Sequence, residues 1–222
     1  VFEERLQTLK SKGFKAIVGL KPRRQQDIIE RMKIAANAGV VAFTIDLDSA
    51  GRAARATKGQ TVEPKTPEQL RELVKASPLP LFFKGILTTD EALLCLNAGA
   101  AGIVVSNHGG RVLADEPGTA EVLPAIADAI HGRCMILVDG CVKRGTDVEK
   151  YIALGADACL AGRHFVRGAH GALADGVELF ANTIRNELAV AMTLTGAAKV
   201  KDINRKMIRM TTPPPLAFGV PA

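Results

Sequence analysis

Six short apolar runs recur along this chain, each followed by a stretch with helical spacing. They cover 15–20 (KAIVGL), 40–46 (VVAFTID), 79–84 (LPLFFK), 101–106 (AGIVVS), 135–139 (MILVD) and 158–161 (ACLA). Their apolar character is continuous instead of alternating, as expected of strands covered on both faces. The segments between them predict helices over 23–38, 67–76, 89–97, 119–130 and 146–154, and a longer helix follows over 171–194. Strand–helix alternation of this kind builds βαβ units on a parallel sheet.

The punctuation agrees. Thr66-Pro67-Glu68 and Thr88-Thr89-Asp90-Glu91 read as N-caps with acids in the first helical turn. Ala38-Gly39, Ala98-Gly99-Ala100 and Gly155-Ala156 each close a helix just before a strand. Their repetition marks equivalent βα units.

Six units suit either an open Rossmann-type sheet or most of a (β/α)8 barrel. No GxGxxG follows the first strand, so the Rossmann fingerprint is missing. The strand ends decide further. Nearly all carry polar groups on their C-terminal side: Thr44 and Asp46, Lys84, Ser106 and His108, Asp139, then Gly162 and Arg163. A barrel brings all of these to one mouth, whereas an open sheet gathers only those at its switch point. The reading is therefore an α/β protein, a TIM (β/α)8 barrel with about six βα units in residues 1–210. The first two units are expected outside this sequence, because six alone would leave two sheet edges open. Residues 211–222 (TTPPPLAFGVPA) form a Pro-rich tail, expected to be extended.

Composition narrows the partners. The net charge is +6, but there is no Trp, one Tyr, and no basic block interleaved with aromatics. That argues against nucleic acid and for a basic surface around an anion site. Cys95, Cys134, Cys141 and Cys159 are scattered without metal-ligand spacing and read as reduced thiols of a cytoplasmic protein. No apolar run approaches the ~18–20 residues of a membrane span.

Three stretches carry chemistry. In VVSNHGGRVL (104–113), His108 lies just past a strand end, with Gly109, Gly110 and Arg111 after it. Histidine is a ready general base. The glycines let backbone approach a planar ligand, and the arginine fork suits a carboxylate or phosphate. By itself this also suits a surface turn. In VDGCVKRGTD (138–147), Asp139 and Gly140 lead into Lys143, Arg144 and a helix start. In LAGRHFVR (160–167), Gly162 and Arg163 end the last strand, with Arg167 beyond. Basic side chains beside helix N-termini, in the last two barrel loops, read as a phosphate cradle.

Together these residues resemble the signature of the FMN-dependent α-hydroxy acid oxidases and dehydrogenases, the family of glycolate oxidase, lactate oxidase and mandelate dehydrogenase. SNHGGR (106–111) carries the likeness. Phe83-Lys84-Gly85-Ile86-Leu87, Thr44-Ile45-Asp46, Asp139-Gly140, Lys143–Asp147, Gly162-Arg163, Leu194-Thr195-Gly196 and Asp202-Ile203-Asn204-Arg205 support it in the same order. The likeness runs from about residue 14 to about residue 209.

The resemblance implies FMN as cofactor and oxidation of an L-2-hydroxy acid to the 2-keto acid. His108 would take the substrate proton, Asp46 would face it and stabilise its charged form, and Arg111 would hold the substrate carboxylate. Lys84 would sit at the flavin N1–C2=O edge. Thr44 and Ser106 would bond the flavin or ribityl chain, and Asp139 and Gly140 the ribityl end. Lys143, Gly162 and Arg163 would take the phosphate. Oxygen or a quinone would reoxidise the flavin, and a homo-oligomer, tetramer or octamer, is implied.

Departures from the pattern matter. Val18 and Leu20 stand where the family has Gln and Tyr, and Ala53 where many members have a second arginine. Cys141 replaces a glycine, Lys143 an arginine, and His164 a proline. The only tyrosine, Tyr151, is expected on a helix away from the mouth. A thinned carboxylate clamp predicts weak or altered turnover of glycolate and lactate. The basic segment 51–65 is expected to be mobile, either a lid over the flavin or simply a flexible loop. Two other readings remain: an FMN-binding barrel that has lost turnover, and a flavin-free phosphate-ligand barrel enzyme.

Overall fold

A computed structural model describes residues 2–55, 61–130 and 132–211, without the side chains of 52–55. The chain opens with helix α1 (Phe2–Lys12). It then alternates β1 (Ala16–Leu20), α2 (Gln25–Ala36), β2 (Val40–Asp46), α3 (Pro67–Ala76), β3 (Leu81–Ile86) and α4 (Thr89–Asn97). There follow β4 (Gly102–Val105), α5 (Thr119–Ile130), β5 (Met135–Asp139), α6 (Gly145–Ala153), β6 (Ala158–Leu160) and α7 (Arg163–Thr195). All strand pairs are parallel, and the strand order in the sheet is the order in the sequence. This curled sheet, helices outside, is six successive units of a (β/α)8 barrel.

The two strand faces divide the core. Outward-facing Phe43, Ile45, Phe83, Ile103, Ile136 and Val138 pack with Ile28, Met32, Leu73, Leu123 and Ile126 of the helices. Inward-facing Ala42, Phe82, Val104 and Leu137 form a second cluster on the inner face of the sheet. One step further along, the same inward face carries Thr44, Asp46, Lys84, Ser106 and Asp139, because side chains repeat every second residue. Apolar packing thus closes the floor, and the polar strand ends lie above it.

Thr66 and Thr88 each cap a helix in a reciprocal capping box, with Gln69 and Glu91 respectively. Gly39, Gly99 and Gly155 end helices at positive φ, where a side chain would be strained.

The last helix departs from expectation. It begins at Arg163, not near residue 171, and breaks at Ala172 and Leu173, which have non-helical dihedrals. The glycine-rich VRGAHG conceals the first half from propensity. At the break the halves meet so closely that a Cβ on Gly176 would lie 2.1 Å from the Gly168 carbonyl oxygen.

The segment expected to be a mobile loop is partly ordered. A 3-10 helix spans Leu47–Arg55, and Val62 forms an antiparallel bridge with Arg23. Residues 56–60 of that segment and residues 212–222 of the expected tail lie outside the described residues.

Candidate active site

The strand ends open into a cleft of about 350 Å³. Its lining brings together Lys84, His108, Gly109 and Arg111 with Asp139, Gly140 and Lys143. Gly162, Arg163, His164 and Arg167 also line it. Thr44, Asp46 and Ser106 do not line it.

Lys84 stands at the centre. Its Nζ donates to Asp139 Oδ2 at 2.7 Å and to the Ser106 hydroxyl. Ser106 is fully buried and accepts the His108 amide at 3.0 Å, so it braces the histidine turn from below. Asp139 Oδ1 is buried and has no hydrogen-bond donor among the described residues. A buried carboxylate oxygen left without a donor has lost its hydration without replacement. It therefore favours any ligand that brings a hydroxyl donor to this point.

His108 occupies the left-handed region, with φ 54°. Asn107 supports that turn: its Oδ1 accepts the Gly109 amide at 3.0 Å, and its carbonyl accepts the Gly110 amide at 2.9 Å. Gly109 has a steric task, because a Cβ there would sit 3.0 Å from Arg163 Nη2. Arg111 Nε donates back to the His108 carbonyl at 2.9 Å. That bond uses one edge of the guanidinium and leaves its terminal nitrogens for the cleft, which Arg111 lines.

The carboxylate facing His108 is Asp48, not Asp46. Asp48 Oδ2 lies 3.0 Å from His108 Nδ1, and both side chains are nearly buried. Asp46 instead accepts from Lys21 Nζ at 2.6 Å. The exchange has a local cause. The register of β3 against β4 shifts between Lys84 and Ile86, and Gly85 adopts φ +95° at that bulge. A Cβ on Gly85 would lie 2.5 Å from Asp48 Cβ, so only glycine lets the segment after β2 bring Asp48 across.

Glu116 Oε2 is also buried without a described partner. Burial, then the charges of Asp48 and Glu91, push this carboxyl above the usual range, and His108 offsets part of the rise.

The phosphate-cradle expectation needs division. The start of α6 is already occupied by the chain's own carboxylates. Asp147 Oδ2 accepts the amides of Lys143 and Arg144 at 2.9 and 3.0 Å, and Glu187 Oε2 accepts the Gly145 amide at 2.8 Å. The start of α7 differs: Gly162 offers no capping side chain, and no acid lies in the first turn. Its amides, with Arg163, Arg167 and the Lys143 side chain, form the basic end of the cleft.

Tyr151 is not remote from the site. Its hydroxyl donates to the Gly140 carbonyl at 2.8 Å and meets Thr119 Oγ1 at 2.9 Å, while Thr119 donates to the Asp139 carbonyl at 2.7 Å. Burial pushes its phenol upward. Tyr151 thus holds the Asp139–Gly140 turn from beneath.

Sequence reasoning missed Asp48 and Lys21. The sole signal for Asp48 was a second acid two residues beyond a strand-end acid. At the positions where resemblance expects Gln and Tyr, Val18 is half-buried and Leu20 is buried.

The residues fit a flavin mononucleotide. The cleft supplies an orphaned acceptor for a ribityl hydroxyl, a basic helix start for a phosphate, and glycines where a planar ring needs room.

Known proteins match in the same terms. L-lactate oxidase of Lactobacillus jensenii is 42% identical over 154 residues, which cover 69% of this chain and 37% of that protein. L-lactate dehydrogenase of Yersinia pestis (strain Pestoides F) is 48% identical over 132 residues, 60% of this chain and 35% of that protein. The chain thus spans little more than a third of the length of these curated relatives. A solved mandelate oxidase structure superposes with a TM-score of 0.81 at 32% identity, covering 90% of this chain and 65% of that one. The model of the FMN-dependent dehydrogenases matches residues 2–210. With this match across nearly its whole length, the chain belongs to the FMN-dependent dehydrogenase family.

Proposed function

We propose that this chain carries the flavin- and proton-handling side of an enzyme that oxidises an L-2-hydroxy acid to the 2-keto acid. One observation supports this most. A single cleft joins an acid-backed histidine, a fixed arginine and an orphaned acceptor beside a basic helix start.

In this reading Asp139 Oδ1 accepts a ribityl hydroxyl of FMN. The α7 amides with Lys143, Gly162 and Arg163 hold its phosphate, and Lys84 lies toward its ring. Bound FMN accepts the two electrons that the substrate loses. Arg111 anchors the substrate carboxylate through its terminal nitrogens. His108 Nε2 takes a substrate proton while Nδ1 faces Asp48, whose charge stabilises the imidazolium that results. Ser106 and Tyr151 act from behind, holding the His108 and Gly140 turns. The altered clamp around Val18 and Leu20 favours a substrate other than glycolate or lactate.

Anaerobic titration of the flavin-loaded protein with a panel of 2-hydroxy acids tests this. A flavin band near ~450 nm that bleaches with one acid supports the reading. A protein that takes up FMN and never bleaches would reduce it to a flavin binder, and failure to bind FMN would overturn it. Oxygen or a quinone as electron acceptor rests on the family resemblance alone, a cytoplasmic location on the scattered cysteines read as reduced thiols, and a tetramer or octamer again on the resemblance. Oxygen consumption and light scattering test the first and last. Among the described residues no helix is long and apolar enough to cross a membrane.

A further inference from the structure

Four side chains connect His108 to the outer edge of the site. Asp48 Oδ2 faces His108 Nδ1 at 3.0 Å, and Asp48 Oδ1 lies 3.4 Å from Ser49 Oγ. Ser49 Oγ accepts from Lys21 Nζ at 3.2 Å, and the same ammonium donates to Asp46 at 2.6 Å. Ser49 is 1% exposed, so water does not replace these partners.

A serine hydroxyl has one proton and two lone pairs. Lys21 has no acceptor, so it engages a lone pair of Ser49 and leaves the hydroxyl proton for Asp48. The direction of each bond in the series follows from that cation. The same ammonium also pairs with Asp46, the acid two residues before Asp48 on the same segment and the one that the resemblance assigns to the histidine. The ion pair itself contributes little to stability, because the Lys21 side chain is 41% exposed.

We propose that Lys21 and Ser49 are positioning residues that select Asp48 over Asp46 as the carboxylate serving His108. The proposal rests on the reading of His108 as the proton acceptor, but its geometry does not require bound flavin.

The test uses the full chain labelled with 15N-histidine. The protein has four histidines, and His108→Gln assigns the ring signals of interest. Ser49→Ala removes the link and leaves the Lys21–Asp46 pair intact. Lys21→Met removes both, and Lys21→Arg restores a cation. Ser49→Ala and Lys21→Met are expected to shift the His108 Nδ1 resonance toward its position in Asp48→Asn, with Lys21→Arg returning it.

In the flavin-loaded protein the same two variants are expected to lower kcat on the order of 10-fold, the scale of coupling inside one hydrogen-bonded network. KM is expected to stay unchanged, and no further loss is expected in an Asp48→Asn background. Unmoved His108 signals in Ser49→Ala, or losses that add in full to Asp48→Asn, would overturn the proposal. If no hydroxy acid is turned over, the functional reading fails and the ring signals alone decide this one. Should Lys21→Met not fold, Ser49→Ala carries both readouts.

Discussion

Adding one methyl group at Gly145 should separate two helices. Gly145 opens α6 where α7 crosses it, and an added Cβ would lie 2.0 Å from the Leu188 amide nitrogen. It would also lie 2.5 Å from both the Glu187 carbonyl carbon and the Ile184 carbonyl oxygen. These are backbone atoms, so no side chain can swing clear, and α7 must retreat by more than about 1 Å to reach ordinary contact. Overpacking of this kind costs ~1–3 kcal/mol. The retreat also stretches the 2.8 Å bond from the Gly145 amide to Glu187. A hydrogen bond to a charged group contributes ~1.5–3 kcal/mol. Gly145→Ala should therefore destabilise by about 3–5 kcal/mol, a fall of roughly 6–20 °C in Tm for a chain of this size. Urea unfolding followed by circular dichroism gives the difference directly. Gly171→Ala is the control, since a Cβ there meets nothing within 4 Å. A Gly145→Ala protein within ~0.5 kcal/mol of the parent, the ordinary scatter of surface changes, would refute the argument.

On the proposed reading, Arg111→Lys should raise KM for the 2-hydroxy acid on the order of 10-fold, because a lysine cannot hold the His108 carbonyl and a carboxylate with one planar fork; steady-state kinetics reads this. Glu116 has its carboxyl pushed up by burial, then by Asp48 and Glu91. The native state therefore holds that proton more tightly than the unfolded chain, and stability falls as pH rises through the raised pKa. Glu116→Gln should stabilise at neutral pH and lose the advantage below the ordinary carboxylate range, as denaturant midpoints across pH will show. Cys141 is exposed in the cleft turn, whereas burial pushes the Cys95 and Cys159 thiols up to about 12. Iodoacetamide at mildly alkaline pH should label Cys141 first, and FMN should protect it; peptide mass mapping distinguishes the sites.

Some parts of the molecule were legible because their causes are local. The strands show as unbroken apolar runs because both faces are covered, and the threonine caps act over three residues. The mouth residues follow from a period of two. What escaped depends on partners distant in sequence. Asp48 displaces Asp46 through a glycine bulge on the next strand and a lysine on the previous one. The α6 start is capped by Glu187, from a helix that follows it by a strand, so its basic loop reads as an open anion site when it is not. Tyr151 looks peripheral on its helix, yet its hydroxyl reaches back beneath the Asp139–Gly140 turn.

The strand order has a consequence for how the molecule comes into being. Each strand pairs with the one made just before it, so every added unit can dock on a finished edge without waiting for distant chain. Synthesis runs from the N-terminus, and Lys21, Asp48, Lys84 and His108 all emerge before Asp139 and Arg163. Until β5 arrives, Lys84 has no Asp139 to hold. The half of the cleft that carries His108 is thus assembled first, and the basic half at the start of α7 is added to it last.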